Sequence, residues 1–227
     1  MGAKEGIIKF RYDHTRTELP PVFESKVAEL EAARSVLHQK KYIGLDSNGM
    51  GYGNLSVRID AHMDSLHTFA DCAPSLQGGF LISGSQTAHL TKLTRDHYVL
   101  VQAFSLGDFY LQACGAATPS SESLSHAAVY LIDPDVRAII HIHKPDLWQY
   151  MLDHAYPATG AVDYGSMEMA QAVQRLFDEG AFREHRALVM DGHFGGVIGF
   201  GSDPQNALQC ILDLERVYDL AHRSDSE

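Results

Sequence analysis

The amino-acid sequence predicts an α/β protein, a three-layer α-β-α sandwich around a mostly antiparallel central sheet. Three observations carry this. Strand-like segments crowd together between Phe80 and Cys114, punctuated by Gly84, Gly107 and Gly115. From Ser120 the pattern changes to helix, strand, helix, and amphipathic helices stand near both ends of the chain. A mixed order of strands and helices buries its apolar faces best as helices packed on a sheet.

The elements follow in order. An irregular segment runs to about Pro21, so residues 1–20 read as an N-terminal extension. Phe23, Val27, Leu30, Arg34 and Leu37 then recur at helical spacing, with Pro20-Pro21 suited to the helix start and Gly44 to its end. The glycine loop Gly49-Met50-Gly51-Tyr52-Gly53 leads into Asn54 to Ile59, whose Leu55, Val57 and Ile59 alternate as in a half-buried strand. Residues 60–78 read as a surface excursion. Strands are expected at Phe80 to Ser83, His97 to Phe104 and Phe109 to Cys114. Ser120 or Ser121 can cap a helix to about Ile132, which Asp133-Pro134 stops. A strand from Arg137 to His143, a helix from Pro145 to His154 and a helix from Ser166 to Phe177 come next. Strands Ala187 to Met190 and Val197 to Phe200 flank a turn, and a last helix runs from a Ser202 or Asp203 cap to about His222. Residues 223–227 read as a disordered tail. No repeat or linker divides the chain, so residues 1–227 are expected to form one domain.

Composition narrows the function classes. With a formal charge of −11 over 227 residues and no Lys/Arg-rich run, nucleic acid and anionic membranes are poor partners. An anionic ligand must be held locally, by amides, hydroxyls, a metal or a few basic side chains. Cys72, Cys114 and Cys210 are widely spaced and odd in number, unlike a disulfide framework or a structural zinc site. A reducing cytoplasm fits. No stretch approaches the ~18 apolar residues of a membrane span.

His141-Ile142-His143 ends the apolar run from Val136, and alternate residues of a strand share a face, so both imidazoles are expected to project together. Imidazole is the commonest ligand of divalent transition metals, and a catalytic zinc takes three protein ligands and leaves one position open. The same pair also arises when one histidine faces solvent and the other a core position. His193, in the glycine-flanked turn Asp191-Gly192-His193-Phe194-Gly195-Gly196, can be aimed into a cleft without steric cost or can face solvent. Glu122, read alone, fits a carboxylate neutralising the start of its helix. His126, four residues on, could orient Glu122 or simply pack. His62, His67, His89, His97, His154 and His185 show no ligand-like spacing and read as surface.

Taken together, Gly53-Asn54-Leu55-Ser56, Ile82-Ser83-Gly84, Pro119-Ser120-Ser121-Glu122, His141-Ile142-His143 and Asp191-Gly192-His193 resemble the class II aldolase/adducin family. They span about Gly51 to Gly199 in the family's order, and the 19 residues from Glu122 to His141 (141 minus 122) are the specific part. The resemblance implies that His141, His143 and His193 bind a divalent metal, zinc first, with Mn2+, Co2+ or Ni2+ as alternatives. It implies Glu122 as catalytic acid/base and Asn54, Ser83, Gly84, Ser120 and Ser121 as phosphate-holding positions. The activity implied is that of a metal-dependent lyase acting on a small, possibly phosphorylated, hydroxy-carbonyl substrate through a metal-stabilised enediolate, in a cytoplasmic homotetramer.

Departures from the family pattern matter too. The family aldolases use a tyrosine after the His-x-His; here that interval is compressed, Tyr156 is the positional candidate, and Tyr164 reads as packing. Family epimerases carry Asp at the position of Glu122, and the family commonly has His-Gly where this chain has His193-Phe194. A dehydratase of the methylthioribulose-phosphate type is the second enzymatic expectation. An adducin-like interaction domain is the non-enzymatic one, against which the histidine triad argues, since adducin-type members lack it.

Overall fold

The computed structural model describes residues 7–59, 79–180 and 185–224. Along the chain these form β1 (Arg11–Thr15), α1 (Glu24–Gln39), β2 (Gly44–Leu45), β3 (Gly51–Tyr52), β4 (Asn54–Arg58), β5 (Phe80–Ser83), β6 (Tyr98–Ser105), β7 (Tyr110–Cys114), α2 (Ser123–Ile132), β8 (Ala138–His143), α3 (Pro145–Asp153), α4 (Met167–Asp178), β9 (Ala187–Val189), β10 (Gly196–Gly201) and α5 (Pro204–Ser224). Eight strands make one sheet in the order β1-β7-β6-β5-β4-β8-β10-β9, while β2 and β3 form a separate ribbon. Every pair in the large sheet is antiparallel except β1 with β7.

Strand alternation sorts side chains into two cores. On one face, Leu55, Val57, Ile140, Ile142 and Val197 pack with Leu30 and Leu37 of α1, Leu147 and Met151 of α3, and Leu208 and Ile211 of α5. On the other, Ile82, Val99, Val101, Ile139 and Ile198 pack with Leu124 and Ala128 of α2 and Met169 and Val173 of α4. The helices therefore cover both faces, giving the three layers expected. Each fully buried aliphatic side chain contributes about 1.5–3 kcal/mol relative to exposure. Parity also assigns the histidines: with Ala138, Ile140 and Ile142 in the α1/α3/α5 core and Ile139 in the other, His141 and His143 fall on the α2/α4 face.

Several boundaries differ from the sequence expectations. Residues 11–15, expected to be irregular, form β1 on the sheet edge. Its five residues are mostly exposed, so an edge strand held by backbone bonds leaves no apolar alternation to read. Gly44 does not end α1; Lys41 takes the left-handed turn at φ 60, and Gly44 pairs with Tyr52 in the small ribbon. No serine caps α2 directly. Ser120 Oγ accepts from Glu122 N at 3.2 Å and Ser120 O from Ser123 N at 3.1 Å, which starts the helix after Glu122. The last helix continues through Arg223 and Ser224, so part of the expected tail is helical. Its remainder, the excursion at residues 60–78, Cys72, His62 and His67 lie outside the described residues. Asp203 caps α5 as expected, its Oδ1 accepting from Asn206 N at 2.7 Å.

Candidate metal centre and its cleft

β8 lies between β4 and β10, with Asn54 opposite His141 on one side and Ile198 opposite it on the other. His143 stands opposite Gly196, at the end of the strand. The turn between β9 and β10, closed by His193 N to Met190 O at 3.0 Å and Gly196 N to His193 O at 2.8 Å, brings the third ring over. His143 Nε2 then sits 3.2 Å from His141 Nε2 and 2.8 Å from His193 Nε2. Gly196 makes this crowding feasible. A Cβ there would lie 2.5 Å from His193 Cδ2 and 3.3 Å from His141 Cε1.

The three rings could hold a metal ion. Burial lowers His141 to about 4, opposed only by the hydrogen bond to the Val197 carbonyl, and it holds His143 and His193 well below the ordinary histidine value. All three are therefore neutral near pH 7, the form that coordinates metals. His141 Nδ1 donates to Val197 O at 3.2 Å, which leaves Nε2 as the lone-pair nitrogen facing the other two rings. Tyr52 stacks on His143 with centroids 5.0 Å apart, and Tyr164 lies against His193 at 4.8 Å. Two imidazoles on a tetrahedral zinc, each bonded at about 2.0–2.1 Å, place their nitrogens roughly 3.3 Å apart. The two separations from His143 Nε2, 3.2 and 2.8 Å, lie within about half an ångström of that, and the ligand atoms of all three rings fall within 4.8 Å of one another. Nitrogen donors suit zinc and its neighbours rather than magnesium or calcium, which prefer all-oxygen cages.

Glu122 is 4% exposed, and its Oε1 lies 4.0 Å from His193 Nε2. Asn54, Gly84, Ser120, Ser121, Glu122, His141, His143 and His193 all line one cleft. Ser83 is not on its wall; the Ser83 hydroxyl accepts from Leu55 N at 3.2 Å. Gly84, just past β5, leaves no room for a side chain, since a Cβ would meet Ala117 Cβ at 2.5 Å. His126 does not orient the Glu122 carboxylate: its Nδ1 bonds Ser56 Oγ at 2.7 Å, and the same oxygen reaches Tyr130 Oη at 2.7 Å. Tyr156 packs with the α1/α3/α5 layer, away from the cleft face. Tyr164, read from sequence as packing, is buried and lines the cleft as well. Tyr52 and the loop from Ser85 to Ala88 line it too, a role that sequence reasoning does not assign them. Only the tight Gly51-Tyr52-Gly53 spacing hints at Tyr52.

The family model described as Class II Aldolase and Adducin N-terminal domain matches residues 39–222, and the chain belongs to that family. Among solved structures it is similar to a sugar-phosphate aldolase from Thermotoga maritima, with a TM-score of 0.68 and 16% identity over 90% of this chain and 97% of that one. An l-fuculose-1-phosphate aldolase from Thermus thermophilus matches with a TM-score of 0.57 and 22% identity over 89% and 96% of the two chains. YgbL from Klebsiella pneumoniae matches at 0.60 and 21% identity, over 87% and 88%. At these identities the likeness concerns the fold. Among the described residues, no helix is long and apolar enough to cross a membrane.

Proposed function

We propose that the protein is a metal-dependent lyase of the aldolase type, acting on a small, phosphorylated hydroxy-carbonyl compound. The observation that carries this is the convergence of three neutral imidazoles with a buried carboxylate 4.0 Å from the nearest of them. A divalent ion at His141, His143 and His193, zinc in this reading, supplies Lewis-acid polarisation of a carbonyl or hydroxyl oxygen. Glu122 is the acid/base: its carboxylate removes the proton beside the polarised oxygen and returns one to the product. Val197 O holds the His141 ring in one tautomer. Tyr52 and Tyr164 cover the outer faces of His143 and His193 and keep bulk water off the rings. Asn54, Ser120 and Ser121 offer an amide and two hydroxyls to the anionic end of the substrate.

A homotetramer with the cleft at a subunit contact belongs to the same reading, supported by Phe194, which is 70% exposed one residue beyond His193. Cytoplasmic location is in keeping with the free thiols Cys114 and Cys210.

The direct test follows loss of carbon-bound hydrogen from dihydroxyacetone and its phosphate in D2O by NMR, using zinc-loaded protein. Wild type is expected to exchange the proton next to the carbonyl, and Glu122→Gln to slow exchange at least about 100-fold with zinc retained. Full exchange by Glu122→Gln removes that residue from the mechanism; no exchange by zinc-loaded wild type with any hydroxy-ketone sinks the lyase assignment. Product analysis then separates carbon–carbon cleavage, which leaves two fragments, from dehydration, which keeps one skeleton.

A further inference from the structure

The cleft residues Ser85, Gln86, Thr87 and Ala88 follow β5 in a loop whose backbone groups divide into two sets. The amides of Gly84 and Ser85 are committed to His97 O at 2.8 Å and Thr118 O at 2.9 Å. Those of Gln86, Thr87 and Ala88 meet no acceptor among the described residues. The carbonyls of Thr87, Ala88 and Leu90 turn toward α1. Arg34 Nη2 donates to Thr87 O at 3.4 Å, Ala88 O at 3.2 Å and Leu90 O at 2.5 Å. Gln86 adopts φ 62, and successive amides around a left-handed residue form a concave, anion-binding nest.

Arg34 is an unusual occupant of its place. It stands on the buried stripe of α1 at 1% exposure, outside the 39–222 span matched by the family, with Glu31 Oε1 3.6 Å from its Nη1. Burying a guanidinium is costly unless its donors are used, and here a single nitrogen gathers carbonyls of the loop that lines the cleft. Without it, Ala88 O would lose its partner and Thr87 O would keep only Leu90 N, at 3.1 Å, so the loop would lose its tie to α1 and the amides of Gln86, Thr87 and Ala88 would no longer be held in one arrangement.

We propose that Arg34 is the positioning residue of an anion-binding nest made by the amides of Gln86, Thr87 and Ala88, which receives the phosphoryl end of the substrate. The role of the nest in turnover rests on the lyase reading above; its affinity for phosphate does not. The full-length, zinc-loaded protein is titrated with inorganic phosphate by calorimetry, and amide hydrogen exchange is followed in the peptide covering residues 84–90. Wild type is expected to bind phosphate and to show slower exchange in that peptide when phosphate is present. Arg34→Met should weaken phosphate at least about tenfold, and Arg34→Lys, which keeps the charge but not the fork, by less. Zinc content and the d–d spectrum of the cobalt-substituted protein should stay unchanged in both, which a general collapse of the site would not allow. Equal phosphate affinity in folded Arg34→Met, or phosphate binding without slower exchange at residues 84–90, overturns the proposal. If Arg34→Met does not fold, Arg34→Lys and the wild-type exchange pattern decide by the same criteria. A protein that shows the phosphate effects yet exchanges no hydroxy-ketone proton retains the nest and loses the lyase reading.

Discussion

The histidine wall of the cleft and the loop wall from Ser85 to Ala88 prepare for a ligand by different means. On the first, side chains are fixed by strand register: His141 and His143 share a face of β8, and the β9–β10 turn delivers His193. On the second, the functional groups are main-chain amides, and what fixes them is a buried guanidinium on a distant helix. The first depends on which residues are present. The second depends on which way peptide planes face, so almost any side chain could stand at those positions. A wall of the first kind should fail through its own residues, and one of the second kind through a residue that never touches the ligand.

That difference can be broken experimentally. His143→Ala removes the nitrogen central to the triad, 3.2 and 2.8 Å from the other two, and is expected to reduce bound zinc to background while phosphate still slows exchange in residues 84–90. Loss of both would show that the two walls are not independent. Gly196→Ala brings a Cβ within 2.5 Å of His193 Cδ2. Displacing that ring should weaken zinc by about 10- to 100-fold, the usual effect of disturbing ligand orientation, as read by competition with a chromophoric chelator. Unchanged affinity would mean the ring is not held where the register puts it.

Acid should act on the histidine wall in the metal-free protein. His141 titrates near 4 when folded, against about 6.5 unfolded, and His143 and His193 are depressed as well. The unfolded chain thus takes up protons first. The stability these rings contribute is present in full above about pH 6.5 and is lost as pH falls toward the folded values. The thermal midpoint of chelator-treated protein should drop from pH 7 to pH 5, and drop less in His141→Gln; parallel curves would contradict buried neutral imidazoles. The smallest effect separates two serines. Ser83→Ala leaves Leu55 N without its acceptor and should cost about 1 kcal/mol of stability with phosphate affinity unchanged, whereas Ser121→Ala, on the cleft wall, should weaken phosphate.

How much is legible in the sequence follows the same divide. The His-x-His spacing, the glycine-flanked His193 and the position of Glu122 point to residues that the fold does bring together, because strand periodicity translates directly into direction. Ser83 stands beside Gly84 at a family position, but strand parity turns its hydroxyl to the neighbouring backbone. His126 lies four residues from Glu122 on the same helix, yet Ser56 captures its ring. The loop wall leaves no residue signature, since every residue type except proline carries an amide. Its trace in the sequence is Arg34, a charge on an otherwise apolar helical stripe. β1 escapes sequence reasoning for a related reason: an exposed edge strand is held by backbone bonds, and its side chains carry no pattern.

The most direct test of the central claim is the metal content of purified protein dialysed against zinc, measured by elemental analysis alongside Glu122→Gln and His143→Ala. One zinc per chain in wild type and in Glu122→Gln, with background levels in His143→Ala, is the predicted result. Zinc absent from wild type, or equally bound when His143 is gone, would contradict a metal centre built from His141, His143 and His193.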